Sequence, residues 1–223
     1  MVRREQPVAL TLPGQSVTRG ADHQDIVLNA LACRRVTLNN ALAQFATRAE
    51  ALAEVATRLV EALRTGHKVL VAGNGGSAAE AQHFAAELVG RFKRERRAYA
   101  VHSLTTDTSI LTAIANDYGY AEVFARQVQG LGQPGDLLLL FSTSGESENL
   151  IRAALMAQQC LVTVAAITGD STSRLEHIAD VTVRVPAVDA AVAQELHMMV
   201  THILCDVTES ELAKYEEKEG AGI

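Results

Sequence analysis

The stretch Lys68-Val69-Leu70-Val71-Ala72-Gly73-Asn74-Gly75-Gly76-Ser77 decides the fold class. Its first five residues form a Val/Leu-rich run without polar alternation, as a strand buried on both faces requires. The run empties into glycines, which let a backbone turn tightly or approach a ligand closely. A helical stretch over residues 78–92 follows at once, with Ser77 placed to cap it. The free amides at such a helix N-terminus favour anions. No Gly-Lys-Ser/Thr follows, so this is not a nucleotide-binding P-loop, and the glycine spacing is not that of a dinucleotide-binding turn. From this segment alone, a plain tight turn and a ligand-binding turn are both open.

The same rhythm continues downstream. Apolar runs at 98–101, 136–141, 161–167 and 181–185 alternate with helical stretches at 109–116, 121–131, 148–159 and 174–179. Alternating β and α units predict an α/β fold, a doubly wound five-stranded parallel sheet with right-handed crossovers. A last long helix is predicted over 190–214. Upstream, residues 25–64 carry Leu28, Leu31, Val36, Leu38, Leu42, Phe45, Leu52, Val55, Leu59 and Leu63 at three- and four-residue steps. That spacing predicts two N-terminal helices, with a break near Asn39-Asn40. Their apolar stripe has no preceding sheet to pack on, and such helices pack on the following domain or on a second subunit. Residues 1–24 read as a mobile leader, and 25–223 as one domain including both sets of terminal helices.

Bulk properties narrow the function classes. The 223 residues fit one ordinary α/β domain, and 48% apolar content supports a sizeable core. A formal net charge of −6 argues against a nucleic-acid surface. No stretch approaches the ~18 apolar residues of a membrane span, and the N-terminus lacks the apolar region of a signal peptide. Cys33, Cys160 and Cys205 are far apart and odd in number, without metal spacing. They predict a reduced cytoplasmic protein with buried thiols.

Ligands in open α/β sheets bind beyond the carboxyl ends of the strands. After the 136–141 run comes Ser142-Thr143-Ser144-Gly145-Glu146-Ser147, again before a helix. Its neutral donors suit a phosphate monoester that must bind and leave. The competing reading is a serine-rich turn with an N-cap. Two such loops at one sheet edge favour a ligand.

His83 and Glu87 lie four residues apart, about 40° around a helix axis, so they face one point. A surface hydrogen bond or half of a metal site would both look like this. On the last helix, Gln194 and His202 are eight residues apart, within about 80° of each other. His197 is a competing ligand or a helix-surface residue. Together, His83, Glu87, Gln194 and His202 compose a four-donor N/O set suited to zinc or a similar divalent ion. Spacing does not establish that the two helices meet.

At these residues the chain resembles the sugar isomerase (SIS) domain superfamily and, within it, the bacterial phosphoheptose (sedoheptulose-7-phosphate) isomerases. The resemblance runs through Gly73-Asn74-Gly75-Gly76-Ser77, Ala81 to Glu87, Thr105 to Tyr120, Ser142-Thr143-Ser144-Gly145, and Gln194-Glu195-Leu196-His197 with His202. It covers roughly residues 30 to 212. It implies an aldose–ketose isomerase that converts sedoheptulose 7-phosphate to D-glycero-D-manno-heptose 7-phosphate through an ene-diol. It further implies that Asn74, Gly75, Gly76 and Ser77 contact substrate, and that Asn116 and Asp117 line the site. Ser142, Thr143, Ser144 and Ser147 then hold the phosphate. His83, Glu87, Gln194 and His202 bind zinc, and Glu87 and Gln194 also touch substrate. Glu87 and His202 are the acid/base pair. The resemblance also implies a cytoplasmic homotetramer with sites shared between subunits.

Three positions depart from that pattern. Ala190 replaces a threonine ahead of Gln194, Thr172-Ser173 replaces a glycine pair, and Glu80 stands where Asp is common. A non-catalytic SIS scaffold that binds the replication initiator DnaA is the rival. It resembles the 111–117 segment and Cys205-Asp206, but lacks the carboxylate at the position of Glu87.

Overall fold

The computed structural model describes the backbone of residues 23–220 and side chains through Glu216; the expected leader lies almost wholly outside the described residues. The chain divides into two compact units between Leu38 and Asn39. The first holds the N-terminal part of helix α1 (His23–Ala46), on which Ile26, Val27, Leu28, Leu31 and Val36 are all exposed. Cys33 is exposed there too, against the expectation of three buried thiols.

The second unit is an α/β sandwich. Strands β1 (Val69–Gly73), β2 (Val101–Ser103), β3 (Leu137–Ser142), β4 (Thr163–Thr168) and β5 (Val181–Arg184) form one parallel sheet in the order β2-β1-β3-β4-β5. Side chains alternate across each strand. Leu70, Ala72, Leu138, Leu140, Val164 and Ala166 meet α6 (Glu148–Gln159) and α5 (Ala125–Leu131) in one core. The opposite face packs against α2 (Ala49–Arg64) and α3 (Gly76–Val89), and α3 in turn packs on α8 (Ala190–Gly220). All six β3 residues are buried, which accounts for their unbroken apolar reading.

Several predicted bounds shift for local reasons. The break expected at Asn39-Asn40 falls instead at Thr47-Arg48. Asparagine costs a helix only a few tenths of a kcal/mol, whereas the Thr47 hydroxyl donates to Gln44 O at 2.7 Å and tightens the last turn. The strand expected over 98–101 is Val101–Ser103, because the Tyr99 amide donates to Leu88 O rather than to the sheet. Helix α4 (Thr108–Tyr118) starts early because the Asp107 carboxylate caps it, accepting from the Ile110 amide at 2.9 Å. The single helix expected over 121–131 is a 3-10 turn, Tyr120–Glu122, followed by α5. Between β4 and β5, α7 (Arg174–Ile178) is a single capped turn.

Candidate active site

The chain leaves β1 toward β2 on one side and returns to β3 on the other. The topological switch therefore lies between β1 and β3, where a crevice opens beyond the strand ends. Gly73 pairs with Phe141 in register, so the loop after β1 and the serine loop after β3 emerge side by side.

The first loop turns through Gly75, whose φ of +56° suits glycine alone. That turn starts α3 two residues earlier than expected, at Gly76 with Gly75 as N-cap. Ser77 consequently sits within the first turn and makes no side-chain cap, which corrects the capping role read from the sequence. Gly73 is needed for space, because a Cβ there would overlap the backbone carbonyl of Ser77. At Gly76 a Cβ would overlap the side-chain amide of Gln194, reaching down from α8.

The second loop is self-bonded. The Gly145 amide donates to Ser142 Oγ at 2.9 Å, and the Glu146 amide to Ser144 Oγ at 3.2 Å. Ser173 packs where a Cβ on Gly145 would lie, and the Leu175 and Arg174 amides donate to Gly145 O and the Glu146 carboxylate. The Thr172-Ser173 departure thus falls where the next loop braces the serine turn. Asn74, Ser77, Ser142, Thr143, Ser144, Ser147 and Gln194 line a cavity of about 80 Å³, with Phe141 and Leu150 as its apolar wall. A phosphate group matches that volume better than a whole sugar phosphate does, since a water takes about 30 Å³.

Two residues with no role read from the sequence support this cavity. Asn74 and Asn149 form a reciprocal amide pair, at 2.9 Å and 2.8 Å, and the Tyr120 hydroxyl donates to Asn74 Oδ1 at 3.2 Å. Asn149 is buried among Leu150 and Ile151 on α6. A polar residue on an apolar helix face was the available signal.

The donors of the expected metal set come from α3 and α8. His83 Nε2 lies 3.0 Å from His202 Nε2 and 3.3 Å from Glu87 Oε1. The three ligand atoms lie within 4.8 Å of one another. Neighbouring donors on a tetrahedral zinc, at bond lengths of roughly 2.0–2.1 Å, stand about 3.3 Å apart. Two imidazole nitrogens and a carboxylate oxygen at these separations fit such an ion by spacing and by chemistry. Gln194 lies two helical turns before His202 on α8, in the serine cavity. Asn116 and Asp117 are exposed on α4, where the Asn116 amide donates to Asp117; they line neither the cavity nor the cluster.

His197 is neither a surface residue nor a member of the cluster. It is fully buried, with its ring against Phe141 and Nδ1 3.3 Å from Glu80 Oε2. Glu80, the residue that departs from the family's Asp, is thus the carboxylate facing this histidine. Cys205 is buried nearby. Burial first, then the charges of Glu87 and Glu209, push its thiol up to about 12. Glu209 itself is buried and receives the amides of Phe92, Lys93 and Arg94.

Fold and site together define the class. The model of the SIS domain family matches residues 36–169, and the chain belongs to that family. Sequence comparison carries this further. A phosphoheptose isomerase of Thiobacillus denitrificans is 52% identical over 162 residues, 71% of this chain and 82% of that protein. One from Bradyrhizobium sp. strain BTAi1 is 43% identical over 196 residues, 88% and 98% of the two chains. The solved phosphoheptose isomerase of Francisella tularensis superposes with a TM-score of 0.79 at 36% identity, covering 82% of this chain and 98% of its own. Within the SIS-domain proteins, the chain belongs to the phosphoheptose isomerase family of sugar-phosphate isomerases.

Proposed function

We propose that the chain interconverts sedoheptulose 7-phosphate and D-glycero-D-manno-heptose 7-phosphate through an ene-diol, with zinc held by His83, Glu87, Gln194 and His202. The observation that carries the reading is the convergence of His83, Glu87 and His202 from two helices far apart in sequence.

Aldose–ketose isomerisation moves one proton between adjacent carbons and others between their oxygens. Bound zinc would supply Lewis-acid polarisation of the substrate carbonyl. In this reading Ser142, Thr143, Ser144 and Ser147 bind the phosphate in the cavity they line. Asn74, Gly75, Gly76 and Ser77 border the sugar, and Asn116 and Asp117 join them at the outer edge. Glu87 takes the proton from carbon and returns it to the neighbouring carbon, while His202 moves protons at the oxygens. Glu87 is also the residue that separates this reading from the scaffold one.

The proposal extends to a cytoplasmic homo-oligomer, a tetramer with sites shared between subunits. The exposed apolar side chains of α1 support a protein partner for that helix. Among the described residues no helix is long and apolar enough to cross a membrane.

The test is turnover of sedoheptulose 7-phosphate by the purified chain, before and after chelation. Activity should fall on chelation and return with zinc. Glu87→Gln should lower kcat by roughly 100-fold or more, the ordinary contribution of a general acid–base group. Wild-type turnover in that variant would sink the mechanism.

A further inference from the structure

The segment between α3 and β2, Arg91-Phe92-Lys93-Arg94-Glu95-Arg96-Arg97, holds no residue assigned above, yet it is built around a buried charge. Glu209, on α8, accepts the amides of Phe92 at 2.8 Å, Lys93 at 2.8 Å and Arg94 at 3.0 Å, and the Arg96 Nε–H at 2.9 Å. The side chains of Glu209 and Arg96 are 0% and 4% exposed. Arg96 also donates to the carbonyls of Glu87, Leu88 and Gly90, which closes the C-terminal end of α3.

A buried ion pair is a poor stabiliser compared with an apolar plug of the same volume. What the arrangement does provide is a loop of fixed shape. Phe92 is where that shape matters. Its ring stacks on the imidazole of His202, with centroids 5.4 Å apart and planes inclined by 22°. Metal-binding imidazoles are usually oriented by a hydrogen bond on the second ring nitrogen. Among the described residues, His202 has a hydrogen-bond partner only at Nε2, the nitrogen aimed at His83. The His83 ring meets that of His202 edge-on, with centroids 5.2 Å apart, so Phe92 is the residue outside the cluster whose face is placed to set the rotation of the ring. Arg96 acts on the other donor helix through its bond to the carbonyl of Glu87 itself.

We propose that Phe92, held in place by Glu209 and Arg96, is a positioning residue that orients His202 for metal binding. This rests on the zinc reading of the His83, Glu87 and His202 cluster. Loss of the stack should weaken metal binding without dismantling the fold, because Phe92 is only half-buried.

The experiment measures zinc affinity of the full chain by competition with a chromogenic chelator, alongside melting of the metal-free protein. Phe92→Leu should bind zinc about 10-fold or more weakly, the scale seen when outer-shell partners of a metal site are lost. Its metal-free melting temperature should stay near wild type. Phe92→Tyr keeps the stack and should restore wild-type affinity. With zinc saturating, Phe92→Leu should lower kcat more than it changes KM. Glu209→Gln should weaken zinc binding in the same direction, and where it does not fold, Phe92→Leu decides. Wild-type zinc affinity in Phe92→Leu would overturn the proposal while leaving the metal site intact. A wild-type chain that binds no zinc would overturn the metal reading and this proposal with it.

Discussion

The side-chain amide of Gln194 lies over the Cα of Gly76, in space that a Cβ at that position would occupy. Two elements more than a hundred residues apart in sequence are thus held together where a hydrogen stands in place of a methyl group. Gly76→Ala should therefore displace Gln194 from the serine-lined cavity. The obstacle is the far end of a flexible side chain, so the fold should survive, with melting within a few degrees of wild type. Gly73→Ala meets the backbone of Ser77 and should lower stability far more. Thermal melts and KM for the sugar phosphate, measured on both variants, separate the two effects.

Removing Asn149 leaves the Asn74 amide without the partners it now has at 2.9 Å and 2.8 Å. Asn74 is half-buried and its Oδ1 keeps the Tyr120 hydroxyl, so Asn149→Ala should cost about 1 kcal/mol, the low end of the penalty for an unpaired polar group. Because Asn74 borders the cavity, KM should rise as well. Urea denaturation and steady-state kinetics check both halves, and Asn149→Ala with unchanged stability would contradict the pairing.

Burial pulls the Glu209 carboxyl upward, but the amides of Lys93, Phe92 and Arg94 and the charge of Arg96 outweigh it and hold the carboxyl below its ordinary value. A carboxyl depressed on folding stabilises the protein fully above its unfolded value, about pH 4.3. That contribution is lost as the pH falls through the depressed folded value. Glu209→Gln should thus be less stable than wild type by about 3 kcal/mol at neutral pH. The gap should narrow below about pH 4. Denaturant melts from pH 7 to pH 3 would show it, and a gap that widens in acid would refute the assignment.

With its thiol pushed up to about 12, Cys205 should resist alkylation at neutral pH in the folded protein. Iodoacetamide labelling followed by peptide mass analysis should modify it only after denaturation. Rapid labelling of Cys205 in the native chain would mean that the α3–α8 contact opens readily.

The sheet was legible because its strands are buried on both faces. Nothing polar interrupts Leu137 to Phe141 or Val69 to Ala72, so periodicity and composition agreed. The predicted bounds of α6 matched for the same kind of reason, an acidic first turn after a serine and an apolar face beyond it. What shifted were positions decided by individual hydrogen bonds and turns rather than by periodicity. The edge strand moved because Tyr99 pairs with Leu88, and Ser77 lost its capping role because Gly75 turned the chain first. His83 and Glu87 were readable as one helix face, but the approach of His202 is a tertiary fact that no spacing encodes. His197 shows the limit well: its spacing allows a competing ligand or a helix-surface residue, and it lies buried against Phe141 and Glu80.

Helix α8 carries Gln194 at the cavity, His202 at the cluster and Glu209 beneath the 91–97 loop. These three stations share one continuous hydrogen-bonded rod, so their angular phase is fixed by residue count alone. Inserting or deleting one residue between any two of them would swing everything downstream by about 100° and shift it by about 1.5 Å. The chain is therefore metrically frozen along this helix, where a single added codon would put the parts out of step.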